Sequence, residues 1–208
     1  LRRHLSPNRK RQVQPTPEAD ENVEAVRFAI DRDLICGRFY LPDDTSFPVP
    51  CIIMAHGLGG TMSMGLDAYA QRLRTEGFAV LAFDYRTFGL SQGQPRQLVW
   101  IPDQLADWRR AIRYARSRPE IDAARIALWG TSLSGGHVIA NASEDHDIAC
   151  VVAQCPGLDG RKSAEATVRR IGWKGAVELI IHAQRDLVRA WLRLSAHKIP
   201  IVAPDGEL

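Results

Sequence analysis

The chain has 208 residues, with 45% hydrophobic and 25% charged side chains and a formal net charge of +3. A domain of this length buries about 70% of its unfolded surface, and the composition is that of an ordinary globular protein. No apolar run approaches the ~20 residues that cross a bilayer as a helix, which excludes a spanning helix.

The first eleven residues hold five Arg or Lys and no acid, and Pro15 and Pro17 follow soon after. With so little to bury, residues 1–22 are expected to form a disordered basic tail. The rest of the chain carries 22 basic against 24 acidic residues. The basic excess is therefore local and reads as a solvated terminus, not as a nucleic-acid or membrane contact. No apolar stretch follows it, so it is not a secretory signal.

Two strand-like stretches, EAVRFAI (24–30) and LICGRFYLP (34–42), are spaced for a hairpin. CIIMAH (51–56) is a continuous apolar run, as shown by strands buried on both faces, and it breaks into HGLGG (56–60). A helix around Asp67–Glu76 stops at Gly77, and FAVLAFD (78–84) is the next buried strand. Pro102 and Asp103 open another helix. Its apolar positions Leu105, Trp108, Ile112 and Ala115 step by three, four and three along one face. RIALWG (125–130) is a strand, a helix runs through Asn141, and IACVVAQC (148–155) is a further buried strand. Buried strands alternating with helices specify an α/β protein with a mostly parallel sheet covered on both faces.

From Gly160 the pattern changes. SAEATVRRI (163–171) and roughly 176–195 read as helices, and IPIVAP (199–204) is the one further strand-like run. Cys36, Cys51, Cys150 and Cys155 have no zinc-ligand spacing. They are expected to be buried thiols of a cytoplasmic protein.

The chemistry concentrates in LWGTSLSGGH (128–137). A buried strand runs through Gly130 to Ser132, then through the small residues Ser134, Gly135 and Gly136 into a helix. Such a sharp strand-to-helix turn lifts one hydroxyl above the sheet, and its neighbours must be small because the two backbones crowd there. Ser134 stands where the G-x-S-x-G pattern has its last glycine. A helix N-cap serine after a strand is the alternative reading of Ser132. HGLGG (56–60) also follows a buried strand. Acyl transfer needs two N–H donors aimed at the developing oxyanion. In an elbow architecture they come from the residue after the nucleophile and from a loop after an earlier strand, here Leu133 and Leu58.

HGLGG, DYRTFGLSQGQPR (84–96) and WGTSLSGGH (129–137) together resemble the α/β-hydrolase superfamily over roughly residues 23–160. The likeness is greatest to its dienelactone hydrolase, serine aminopeptidase and X-Pro dipeptidyl-peptidase-like branch. The resemblance implies an α/β-hydrolase fold with strands one to six present, residues 23–159 as its core and 160–208 as a helical cap-like segment. It implies Ser132 as nucleophile, a small-molecule acyl substrate (ester, thioester or amide) and no cofactor. An acyltransferase of the same fold, or a catalytically inactive remnant acting as an interaction module, are the alternatives. A dinucleotide-binding reading of Gly57-x-Gly59 with Asp84 fails at the third glycine, where Met62 stands. Asp84 and Arg86 are expected to tie the loop after the fourth strand.

The triad acid and base are not found. His137 lies about 7 Å along the helix that follows Ser132, His146 sits in an acidic loop before a strand, and His182 and His197 belong to the cap-like segment. Of the acids after Ser132, only Asp159 follows a buried strand. The family's acid follows strand seven and its histidine strand eight, and neither strand is legible here. The chain is therefore expected to be C-terminally truncated, with 148–155 as an open sheet edge prone to self-association.

Overall fold

The computed structural model describes residues 22–43, 46 and 48–201. The expected disordered tail lies outside these residues except for Asn22. The elements are β1 (Val23–Ile30), β2 (Asp33–Tyr40), β3 (Val49–Ala55), α1 (Leu66–Thr75), β4 (Ala79–Phe83), α2 (Ile101–Arg116), β5 (Ile121–Thr131), α3 (Leu133–Glu144), β6 (Ile148–Gln154) and α4 (Gly160–Trp191).

The strands form one sheet in the order β1-β2-β4-β3-β5-β6. β1 and β2 are the expected hairpin, in register from Val23 opposite Tyr40 to Ile30 opposite Asp33. β2 pairs antiparallel with β4, and β4, β3, β5 and β6 run parallel. Every residue of β4 is buried, as a central strand covered on both faces requires.

Two apolar clusters flank the sheet. On one face α1 brings Leu66 and Ala70 against Tyr40, Met54, Val80 and Ala82. On the other, α2 supplies Trp108, Ala111, Ile112 and Ala115, and α3 supplies Val138, against β1 to β5. The four α2 residues recur at i, i+3, i+4 and i+7, one helical stripe. Leu105, expected on that stripe, is only half-buried; Gln104 and Asp107 are buried beside it.

Three expectations need correction. IACVVAQC forms β6, but as the outermost strand among the described residues it is half-exposed, not buried. Its Cys150, and Cys155 just beyond it, are exposed for the same reason, whereas Cys36 and Cys51 are buried. The run 199–204 is no strand over its described residues 199–201. Pro200 has no N–H for a ladder, and Ile201 instead lays its Cδ1 over Gly59.

The two helices expected beyond Gly160 both lie within α4, on either side of a break at Gly172, whose backbone (φ 69°, ψ −176°) is not helical. No residue of α4 is buried. The segment nevertheless begins and ends beside the sheet's carboxyl end: Gly157 packs on Leu133, and Ile201 rests on Gly59. No helix among the described residues is long and apolar enough to cross a membrane.

Candidate active site

β5 ends at Thr131 and α3 begins at Leu133, so one residue, Ser132, turns the chain from strand to helix. Its backbone sits at φ 55°, ψ −122°. A residue with a Cβ holds such a conformation only where its surroundings impose it. Here the Ser132 N–H donates to the Gln154 carbonyl at 2.9 Å, and its own carbonyl accepts the Gly157 N–H at 2.8 Å. Both partners lie at or just beyond the end of β6. Gly130 admits no side chain, because a Cβ there would stand 2.4 Å from the Ser134 carbonyl oxygen. That is the crowding for which the motif's small residues were read.

The HGLGG loop comes to the same place. A Cβ on Gly57 would lie 3.1 Å from the Ser132 Cβ and 3.7 Å from its Oγ. His56 is buried, and desolvation lowers its pKa, so the ring is neutral. Its Nδ1 lies 2.8 Å from the Gly57 carbonyl oxygen; a carbonyl only accepts, so Nδ1 carries the ring hydrogen. Within a planar trans peptide the N–H points opposite to the C=O. Fixing the Gly57 carbonyl therefore fixes the direction of the Leu58 N–H, which donates to nothing among the described residues. The same reasoning applies to the next peptide of interest. The Ser132 carbonyl is held by Gly157, and the Leu133 N–H, first in α3, has no intrahelical partner. The fold thus brings Ser132, Leu58 and Leu133 to adjacent strand ends, with both candidate donor peptides anchored through their carbonyls.

Asp84 follows β4 and is buried. Its Oδ1 accepts the Met62 N–H at 2.7 Å and its Oδ2 the Leu90 N–H at 3.0 Å. It ties the loops after β3 and β4 together, and with both oxygens engaged it offers nothing to a ribose. Arg86 donates its backbone N–H and Nε to Asp107 of α2, at 2.9 and 2.7 Å. Burial pushes the Asp107 carboxyl up to about 6 despite that partner.

The histidines considered as base are elsewhere. Among the described residues no imidazole hydrogen-bonds the Ser132 hydroxyl. His137 is buried beside Tyr85, and His146 precedes β6. His182 and His197 bond each other at 2.8 Å. Asp159 caps α4 by accepting the Lys162 N–H at 2.9 Å. No group of three or more His, Cys, Asp or Glu among the described residues is arranged to hold a metal. No role for His56, Tyr85 or Asp107 was read from the sequence, and Trp108 was read only as part of the apolar stripe of α2. Only Asp107 left a signal, as an acid inside the apolar stripe of α2.

Comparison with known proteins agrees with this fold. The sequence profile described as serine aminopeptidase, S33, matches residues 47–194, more than half of the chain. The quorum-quenching protein AidA of Acinetobacter baumannii is 44% identical over 175 residues, which is 84% of this chain and 56% of AidA. The thiohydrolase aneE of Aspergillus aculeatus is 33% identical over 172 residues, 82% of this chain and 51% of aneE. The polyketide transferase GrgF of a Penicillium species is 28% identical over 162 residues. The crystal structure of GrgF has the same fold, with a TM-score of 0.72 over 89% of this chain and 61% of its own. The chain spans roughly half the length of the curated relatives it matches. The profile match, over a sheet and strand-to-helix turn of this form, places the chain in the serine aminopeptidase S33 family of α/β hydrolases.

Proposed function

We propose that Ser132 is the nucleophile of an acyl hydrolase or acyltransferase. The observation that carries this reading is the imposed backbone of Ser132, with the anchored Leu58 and Leu133 peptides beside it. The Ser132 oxygen attacks the acyl carbonyl as its proton passes to a general base, which returns it to the leaving group. The carbonyl oxygen becomes an oxyanion, to which the N–H groups of Leu58 and Leu133 donate. Collapse expels the alcohol, thiol or amine with a proton and leaves the acyl group on Ser132. Attack by water then completes a hydrolysis, and attack by another hydroxyl or amine a transfer. None of the described histidines is assigned as the base. Names among the relatives support an acyl substrate: thiohydrolase for one and polyketide transferase for another.

A fluorophosphonate probe tests the assignment. In the full-length protein Ser132 is expected to be the one labelled residue, and Ser132→Ala to abolish labelling; label on Ser134 or Ser143 would refute it. Short-chain p-nitrophenyl esters, with and without an added alcohol, separate hydrolysis from transfer. With no base on Ser132 among these residues, turnover by the 208-residue chain should be orders of magnitude below that of a complete triad. Neither labelling nor turnover would favour the inactive interaction module.

A further inference from the structure

The first turn of α3 carries a hydroxyl where the elbow pattern has a glycine. Ser134 is fully buried, and its Oγ accepts a hydrogen bond from the Tyr85 hydroxyl at 3.1 Å. The Tyr85 oxygen accepts the indole N–H of Trp108 at 2.8 Å and lies 3.1 Å from His137 Nδ1. All four side chains are buried. Tyr85 follows β4, Trp108 belongs to α2, and Ser134 and His137 belong to α3. One phenol oxygen therefore joins three parts of the fold directly beneath the turn.

Hydrogen counting fixes the state of this cluster. Tyr85 has one hydrogen, and it goes to Ser134. Trp108 brings its own. The contact with His137 is then a hydrogen bond only if Nδ1 carries the ring hydrogen and donates. Burial, and next the neighbouring His56, push the His137 ring down to about 4, so it is neutral at pH 7. Its Nε2 keeps a lone pair, and that atom has no partner among the described residues.

The geometry points to Ser134 as a positioning residue, whose hydroxyl, held by Tyr85, pins the first turn of α3 and so holds Ser132 and the Leu133 N–H in place. Ser134 is next to Leu133 in the chain, and its carbonyl is the wall against which Gly130 packs. A glycine at position 134 would keep the room and lose the pin, and its wider backbone freedom would let the strained turn relax. The inference rests on the reading of Ser132 as nucleophile.

The experiment compares rates of fluorophosphonate labelling at Ser132 in the full-length protein without substitution, with Ser134→Gly, with Tyr85→Phe and with both. If the position needs only a small residue, Ser134→Gly labels at least as fast as the unsubstituted protein. Positioning by the hydroxyl predicts that Ser134→Gly slows labelling about tenfold, the factor one buried hydrogen bond is worth, and that Tyr85→Phe, which also takes the acceptor from Trp108 and His137, slows it at least as much. The double variant should be no slower than Tyr85→Phe alone, because the Ser134–Tyr85 contact is already lost there. Unchanged labelling in Ser134→Gly, or losses that multiply in the double variant, would overturn the proposal while Ser132 remains the nucleophile. Nitrogen-resolved imidazole spectra give a readout independent of reactivity. His137 is expected in the Nδ1–H form, and the Nε2–H form would overturn the cluster itself. Absence of label in the unsubstituted full-length protein would remove both Ser132 as nucleophile and the role assigned to Ser134.

Discussion

A histidine buried in its neutral form couples stability to pH with a definite sign. In the folded chain His137 takes a proton only near pH 4, whereas an unfolded histidine titrates near 6.5. Between those values the unfolded state binds more protons, so stability falls as the pH falls, by about 3 kcal/mol from this group alone. His56, also lowered by burial, acts in the same direction. Asp107 opposes them. Its carboxyl is raised to about 6, so between that value and the ordinary aspartate range acidification favours the folded state. A His137→Gln variant should therefore lose less stability than the unmodified chain between about pH 6.5 and about pH 4.5. Urea unfolding at a series of pH values measures this. Parallel profiles for the two chains would show that His137 does not contribute to the acid limb.

At the scale of elements, the attachment of α2 to the loop after β4 depends on the Arg86–Asp107 pair. The Asp107 side chain is fully buried, and that of Arg86 is 11% exposed. Removing Asp107 takes away the acceptor of the Arg86 backbone N–H and Nε and leaves the guanidinium only the more exposed Asp31 (3.3 Å) and Asp103 (3.7 Å). Asp107→Ala should therefore destabilise the chain by about 2 kcal/mol. Asp107→Asn keeps one acceptor for Arg86 and should cost clearly less. Equal losses in the two variants, read from urea midpoints, would show that the hydrogen bonds are not what matters. This pair also marks the limit of what the sequence reveals. Apolar runs and their punctuation located all six strands; for β3 and β4 burial on both faces writes itself as a continuous apolar stretch. The elbow was legible because close backbone approach demands small residues at fixed spacing. The Tyr85–His137 contact was not, since it joins residues 52 apart and neither disturbs a local pattern. The exposure of β6 was hidden for a related reason: apolar composition reports suitability for burial, while burial itself depends on which neighbours a strand has. The two helical stretches read beyond Gly160 meet at Gly172, whose positive φ lies outside the helical region and breaks α4 there.

The whole molecule is unevenly covered. Among the described residues β6 pairs with β5 on one side and with nothing on the other. Its residues Cys150 and Val152 are exposed, Val152 by 47%. α4 leaves Trp173, Ile180, Ile181 and Trp191 exposed. An apolar strand edge without Pro or Lys is a template for pairing with another chain. Exposed apolar area of this extent favours association over a monomer. The 208-residue chain is thus expected to self-associate through β6, eluting from a sizing column ahead of a 23.2 kDa monomer and increasingly so with concentration. Val152→Lys puts a charge on that strand and should move elution toward the monomer without altering α4. If Val152→Lys leaves the elution unchanged while the chain still associates, the contact lies on α4 and not on the sheet edge. A monomer at every concentration, unfolding in one cooperative urea transition, would mean that the edge needs no partner and that residues 160–201 protect it.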